Sequence, residues 1–272
     1  MINEQGPNPA EIYEQYLGPT MADPWTRVLL EYAAPQSGEH VLDVACGTGT
    51  VARHVAPMVG TEGIVVALDI NPAMLAVGRS LPVPVGASIE WREGDAIRLD
   101  LPDAVFDLVV CQQGLQFFPD RAAAVREMRR VLARVGRVVV SVWESLERHP
   151  LYEALLTATA RHLRVPISAV DLSFSLSDAD ELDASLRSAG FLRTQVHSRS
   201  LDIHLPSPER FVQFTVEGAA TSIATFTQLD AAKRAALVDA VALEVAPIVQ
   251  HYRDGDALTF PMFNQIAVAY TT

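Results

Sequence analysis

Val41-Leu42-Asp43-Val44-Ala45-Cys46-Gly47-Thr48-Gly49-Thr50-Val51-Ala52 is an apolar run that breaks into a pair of glycines and resumes as the start of a helix. Gly47 and Gly49 carry no Cβ, so the backbone can turn sharply there and a ligand can lie against it, while the following helix offers unpaired N–H groups. The order strand, turn, helix fits a site for a nucleotide-type ligand. Twenty residues after Gly49, Asp69 ends a second apolar run, Ile64-Val65-Val66-Ala67-Leu68, where an acid can accept both hydroxyls of a ribose. The spacing Gly47-x-Gly49-x-x-Ala52 also suits a dinucleotide enzyme.

Asp43 helps to separate the two readings. A carboxylate in the middle of a buried strand costs several kcal/mol if left alone, so it needs hydrogen bonds or a positive partner. S-adenosylmethionine brings an ammonium and a sulfonium; the pyrophosphate of NAD brings the opposite sign. With these residues in place, the chain resembles the class I S-adenosylmethionine-dependent methyltransferases, and more closely their ubiquinone/menaquinone-biosynthesis-like small-molecule branch. The segment 41–49 resembles the first motif of that family and Ala67-Leu68-Asp69-Ile70-Asn71-Pro72-Ala73-Met74-Leu75 the second. Glu93-Gly94-Asp95-Ala96 resembles the third, and Phe106-Asp107-Leu108-Val109-Val110-Cys111-Gln112 the fourth strand. The resemblance spans roughly residues 39–143. It implies an α/β, Rossmann-like fold with a central, mostly parallel seven-stranded sheet flanked by helices, to which a helical cap is added.

The 272 residues, 49% of them hydrophobic, suffice for one domain with a cap. No apolar run reaches membrane-spanning length, and the N-terminus lacks a basic region followed by an apolar core, so the reading is cytoplasmic, without membrane insertion. A formal charge of −12 argues against a general nucleic-acid surface. Arg129, Arg130, Arg134 and Arg137 come closest to a local basic groove, and read as a solvated helix end before a strand. Lys233 is the only lysine, which leaves Schiff-base or tyrosine–lysine reductase chemistry little to work with. If strands one and four are neighbours, as the resemblance implies, Cys46 and Cys111 lie near one edge of the sheet; buried, reduced thiols are the reading taken. The seven histidines show no metal-ligand spacing, so no metal is expected.

Taken in order, the expected parts are N-terminal lid helices over residues 1–36, a cofactor-binding core over 37–143, a cap insertion over 144–177, a core helix and strand over 178–205, a helical cap insertion over 206–256, and a last core strand over 257–272. Residues 1–9 read as a mobile tail. Helices are expected near residues 11–17 and 24–34, over 51–59 with Pro57 as a kink or early stop, and over 121–134, where a turn at Gly136 leads into a strand over 137–143. Residues 151–163 and a segment starting at Asp178 and ending at Gly190 also read as helices, with strands over 191–205 and 257–270. The lid and the two insertions are expected to roof the site, the cap choosing the acceptor.

The candidate cofactor residues are Asp43, Ala45, Gly47, Thr48, Gly49, Asp69, Ile70, Met74, Gly94, Asp95, Ala96, Gln112 and Phe117. Tyr16 and Arg27 join them from the lid, chosen over packing roles because relatives carry N-terminal lids. Ile70 and Met74 are expected to sandwich the adenine. Asp95 and the Ala96 N–H would read its edge, the alternative being a surface turn. Gln112, Gln116 and Phe117, beyond the fourth strand, are expected to face the reacting methyl. The resemblance implies a histidine near Gln116 in many relatives; an amide is no base at neutral pH. Catalytic candidates are therefore Gln116, His149 and Tyr16, with His197 and His204 in reserve. The function expected is methyl transfer from S-adenosylmethionine, leaving S-adenosylhomocysteine, to oxygen, nitrogen or carbon of a small, largely apolar acceptor. The alternatives are a protein that binds the cofactor in a non-methylating or regulatory role and, further off, an NAD-dependent oxidoreductase. A homodimer stays open.

Overall fold

Alternation of apolar strands and amphipathic helices builds one sheet, whose parallel strands send the loops that follow them to the same end. The computed structural model describes residues 8–220, 226 and 228–272. Most of the tail expected over 1–9 lies outside the described residues, and Pro9 already begins a helix that Asn8 caps by accepting the Ala10 N–H at 3.1 Å. The strands are β1 (His40–Val44), β2 (Ile64–Asp69), β3 (Ile89–Glu93), β4 (Phe106–Gln112), β5 (Leu132–Trp143), β6 (Arg193–Pro206), β7 (Arg253–Asp254) and β8 (Ala257–Tyr270). They form one sheet in the order β3-β2-β1-β4-β5-β8-β6, the seven strands expected, with the two-residue β7 added antiparallel to β8. From β3 to β5 every pairing is parallel. Val41, Leu42 and Val44 of β1 and Leu108, Val109, Val110 and Cys111 of β4 are all buried, as strands covered on both faces must be.

The chain divides into two compact units, residues 1–142, 178–198 and 265–272 in one and 143–177 with 199–264 in the other. In the first, α1 (Pro9–Leu17) and α2 (Asp23–Ala33) precede β1, and α3 (Thr50–Val59), α4 (Pro72–Ser80) and α5 (Arg121–Val131) connect the parallel strands. In the second, α6 (Pro150–Leu163) packs with two helices of the later insertion. Back in the first, α7 (Ala179–Ser188) lies against α5, and the other two helices of the second unit are α8 (Pro208–Ala220) and α9 (Ala231–His251). The segments expected as insertions, 144–177 and 206–256, fall within the second unit, which also takes in adjoining ends of β6 and β8.

Three local details differ from the sequence reading. The two N-terminal helices, α1 and α2, are joined without a loop: Gly18–Ala22 is a π-helical turn in which the Asp23 N–H reaches Gly18 O. Pro57 does not stop α3, because it lies in the last turn, and the Gly60 N–H closes the end on Ala56 O at 3.2 Å. Gly136 lies within β5 instead of in a turn before it. The pairing with β4 jumps from Phe106↔Leu132 to Leu108↔Arg137, so the residues between bulge, and the Gly136 N–H is taken by Thr271 Oγ1 at 2.9 Å.

Two of the four arginines around the start of β5 are spent internally. Arg130 bonds Leu99 O, Leu101 O, Asp103 and Glu127, and Arg137 bonds Ala33 O, Ala34 O and Glu39, tying the end of α2 to the start of β1. At the other edge the Trp91 ring of β3 is wedged between two glycines. A Cβ on Gly49 would come to 2.2 Å from the ring, and one on Gly78 to 2.5 Å.

The two glycines of the β1 loop therefore answer to different constraints, although both have positive φ, +56° at Gly47 and +81° at Gly49. A Cβ on Gly47 meets nothing within 4 Å. Gly47→Ala is expected to cost only the left-handed backbone penalty of about 1–2 kcal/mol. Gly49→Ala adds overpacking of about 1–3 kcal/mol against Trp91, so in urea titrations it should unfold at clearly lower denaturant than Gly47→Ala. Equal midpoints would contradict the wedge.

Candidate cofactor and acceptor site

The loop after β1 is wound tightly by three residues with positive φ, Ala45, Gly47 and Gly49. The Cys46 N–H donates to Leu68 O at 3.0 Å and the Gly49 N–H to Cys46 O at 2.8 Å, so the turn is tied to β2 and closed on itself. Gly49 stands at the N-cap of α3 with no side-chain cap. Thr48 is 1% exposed, and its Oγ1 is buried with no hydrogen-bond partner. Gly47, with open space where a Cβ would be, is the place where a ligand can touch the backbone.

Two acids flank this loop. Asp43 is 1% exposed, and its Oδ2 accepts the Ala52 N–H of α3 at 3.0 Å, while Oδ1 is buried without a partner. Burial, with the nearby charge of Asp69, pushes its pKa up to about 8 against the pull of the Ala52 N–H and Arg53. An orphaned carboxyl oxygen beside an open glycine fits a ligand that brings a cation, because a cation stabilises the charged form that burial disfavours. Asp69 is held from two sides, Oδ2 taking the Gly47 N–H at 2.7 Å and Oδ1 the Asn71 N–H at 2.8 Å. It thus anchors the glycine loop first, and each oxygen keeps a second lone pair for the hydroxyls expected there.

Beyond Asp69, Ile70 leaves 66% of its surface exposed and Met74 is half-buried on α4. Asp95 is exposed and forms the turn offered as the alternative reading: its Oδ1 accepts the Ile97 N–H at 3.0 Å. Gly94 is fixed by donating to Asp69 O at 3.0 Å, and Ala96 is buried. Phe117, 48% exposed, is a second apolar side chain left open past the end of β4.

In the N-terminal helices, expected as a lid, the two residues singled out have other surroundings. Arg27 is not at the site: its side chain is 67% exposed and pairs with Asp23 one turn back, because Trp25, Thr26, Val28 and Leu29 take the buried face of α2. Tyr16 is half-buried, its carbonyl accepting from Thr20 Oγ1. On α1, burial, then Glu14, Asp69 and Asp43, push the Tyr13 phenol up to about 12. Beside it, Glu14 Oε1 accepts from Arg53 at 3.1 Å, and Arg53 also donates to Thr48 O, which links α1 to the glycine loop. No alternation marks Glu14 or Arg53 in the sequence.

Gln112 is likewise engaged rather than open. Its Oε1 accepts from Thr26 Oγ1 and its Nε2 donates to Ala22 O, both at 3.0 Å, so it clasps α2 to the end of β4. Gln116 is 1% exposed and donates from Nε2 to Gln113 Oε1 at 2.8 Å. His149 belongs to the second unit and has both nitrogens committed to backbone. Nδ1 lies 3.0 Å from Ser145 O and Nε2 accepts the Phe263 N–H at 2.9 Å, while burial lowers its pKa. That is a structural histidine. His197 stacks on Tyr32 at 4.8 Å, and His204 Nδ1 is 2.8 Å from Thr259 Oγ1. Cys46 and Cys111 are both buried free thiols, and no His/Cys/Asp/Glu group able to hold a metal occurs among the described residues.

Sheet order and loop geometry together define a Rossmann-like cofactor-binding fold. Residues 42–140 match the family described as Methyltransferase domain. The ubiquinone/menaquinone biosynthesis C-methyltransferase UbiE of Pseudomonas putida is 33% identical over 195 residues, which cover 66% of this chain and 75% of that protein. Among solved structures, phosphoethanolamine N-methyltransferase 2 of Haemonchus contortus, in complex with phosphomonomethylethanolamine and S-adenosylhomocysteine, matches with a TM-score of 0.57 at 17% identity, over 96% of this chain and 56% of that one. The [4+2]-cyclase SpnF matches with a TM-score of 0.53 at 21% identity, over 91% and 80%. At these identities both speak for the fold alone. The chain belongs to the class I S-adenosylmethionine-dependent methyltransferases, in their ubiquinone/menaquinone-biosynthesis-like small-molecule branch. It is a methyltransferase for a small organic acceptor, with S-adenosylmethionine as its cofactor.

Asp43 gives this assignment a pH signature. Between its ordinary value of 3.8 and about 8 the folded, ligand-free protein holds a proton that the unfolded chain releases, so stability should fall as pH rises through that window and level off above it. A cation placed beside Asp43 favours the charged form. Cofactor affinity should therefore climb from roughly pH 6 to 8, by up to about tenfold per unit, and Asp43→Asn should bind more weakly with a flat profile. A wild-type affinity independent of pH by calorimetry would contradict the role of Asp43.

Proposed function

We propose that this protein is a C-methyltransferase for an oxygenated aromatic acceptor of the quinol type, bound past the carboxyl ends of β4 and β5. The observation that carries the reading is the makeup of the loop after β4: Gln113, Gln116 and Phe117 supply amides and an apolar ring, and the segment 113–120 holds no histidine to take a proton at neutral pH. An acceptor served by such a loop must be acidic enough to ionise with little help, as a phenol, enol or quinol is, whereas a neutral alcohol needs a base. The name of the Pseudomonas relative points to the same chemistry, C-methylation in quinone biosynthesis. Reduced, buried thiols and the lack, among the described residues, of any helix long and apolar enough to cross a membrane are compatible with a cytoplasmic reaction.

When bound, S-adenosylmethionine supplies an electrophilic methyl group on a sulfonium. The chain's own contribution is placement. Asp43, Gly47 and Asp69 hold one end of the ligand against the loop after β1. Ile70 and Met74 offer an apolar wall for its base, Gly94, Asp95 and Ala96 border the base edge, and Phe117 offers an apolar surface for the acceptor. Residues 37–143 act as the cofactor core, and α1, fastened through Glu14 and Arg53, keeps water from it. Burial, with Glu14, Asp69 and Asp43 nearby, raises the Tyr13 phenol, so it does not serve as a base. Positioning of this kind can supply roughly 7–11 kcal/mol of a barrier.

The test is transfer of a labelled methyl group from S-adenosylmethionine to reduced 1,4-naphthoquinone, with cyclohexanol as the comparison. Label on a ring carbon of the quinol and none on the alcohol is expected. Transfer to the alcohol, or retention of all label on the cofactor while it binds, would overturn the reading.

A further inference from the structure

Gln113, the first residue after β4, is held in a left-handed conformation at φ +54°, a strained choice for a side chain with a Cβ. Its surroundings fix it there. Its N–H donates to Ser141 O of β5 at 2.9 Å, and its Oε1 accepts from Gln116 Nε2 at 2.8 Å. Gln116 is held in turn: its carbonyl accepts from Arg121 at 3.0 Å, and Arg121 pairs with Glu181 at 3.6 Å. The neighbouring Gly114 is pressed on the loop after β1, where a Cβ would lie 2.7 Å from Ala45 Cβ. Gln113 is thus one residue from a direct contact with the cofactor loop.

Two polar groups at this place are left over. Gln113 Nε2 is buried and has no partner, and the same holds for the Oγ of Ser141, a residue 1% exposed. Buried polar groups are paired in the great majority of cases, and each one left unpaired costs stability. Here an amide that can only donate and a hydroxyl that can donate flank one backbone hydrogen bond at the ligand edge of the sheet. The nearby guanidinium of Arg121 has Gln116 O and Glu181 as partners, so the pair suits an oxygen with lone pairs rather than a phosphate or a carboxylate.

We propose that Gln113 and Ser141 form an oxygen subsite that binds the carbonyl or phenolate oxygen of the methyl acceptor, with Gln116 as the residue that orients the Gln113 amide. This rests on the reading of the protein as a methyltransferase for a quinol-type acceptor, and it names the two residues that would select such an acceptor over a plain hydrocarbon. Hydrogen bonds to that oxygen favour its ionised form and hold its electron density away from attack, which leaves the ring carbon as the nucleophile.

The experiment measures binding of 1-naphthol and of naphthalene to the protein saturated with S-adenosylhomocysteine, for wild type, Gln113→Leu and Ser141→Ala. Wild type should prefer naphthol, each variant should lose about tenfold of that preference, and affinity for S-adenosylhomocysteine should not change. Because an unpaired hydroxyl stabilises nothing, Ser141→Ala should melt at or above the wild-type temperature. Absence of a preference in wild type, its survival in both variants, an equal loss for naphthalene, or a Ser141→Ala protein that melts several degrees lower would each overturn the subsite. Label transfer, read separately, distinguishes the two levels: a preference that depends on Gln113 without transfer sinks the quinol reading alone, and transfer without such a dependence sinks the subsite alone.

Discussion

A carboxylate in the middle of a parallel sheet is the constraint around which the first unit is arranged. Asp43 has one oxygen satisfied by the Ala52 N–H, which fixes the start of α3 relative to β1. The residues between them wind through three left-handed positions. The loop in turn needs Asp69 at the end of β2, whose carboxylate holds the Gly47 N–H, and a glycine at position 49 to make room for Trp91. The other oxygen of Asp43 stays unpaired, and burial holds its pKa up at about 8, a cost that a positively charged ligand would remove.

The elements that place this site were readable because they are local. Strands over 40–44, 64–69 and 106–112 announce themselves as continuous apolar runs, and the caps at Asn71 and Asp178 as turn-forming residues before helices. What the sequence hides is the direction of side chains whose partners are far along the chain. Gln112 was expected to face the methyl, yet Thr26 and Ala22, some 90 residues away, take both ends of its amide. Gly49 reads as a ligand contact, but Trp91 occupies its Cβ side. Arg27 is a different case: the apolar spacing of Trp25, Val28 and Leu29 already places position 27 on the open face of α2, a signal that outweighs the pull of a lid analogy. For Gln113 there was no signal at all, since a positive φ at a residue other than glycine follows from the pairing of β4 with β5.

The fold is shared with a phosphoethanolamine N-methyltransferase and a [4+2]-cyclase, so the sheet alone does not fix the reaction. The loop after β4 carries amides and an aromatic face, and Ser141 of the adjacent β5 a hydroxyl. Such a surface suits positioning of an already acidic acceptor and does not suit proton removal. The second unit has its own logic, an aromatic cluster of Tyr152, Phe174, Phe211 and Phe260 around three helices, with His149 bridging backbone groups at its edge. Its histidine is part of that scaffold.

The claim on which the rest stands is that the loop after β1, between Asp43 and Asp69, accepts a cationic adenosyl ligand and rejects a dinucleotide. Calorimetric titration of the cofactor-free protein with S-adenosylmethionine, S-adenosylhomocysteine and NADH tests it most directly. The account predicts saturable one-to-one binding of the first two, with release of protons below about pH 8 as Asp43 ionises, and no binding of NADH. Binding of NADH alone, or of none of the three, would contradict it.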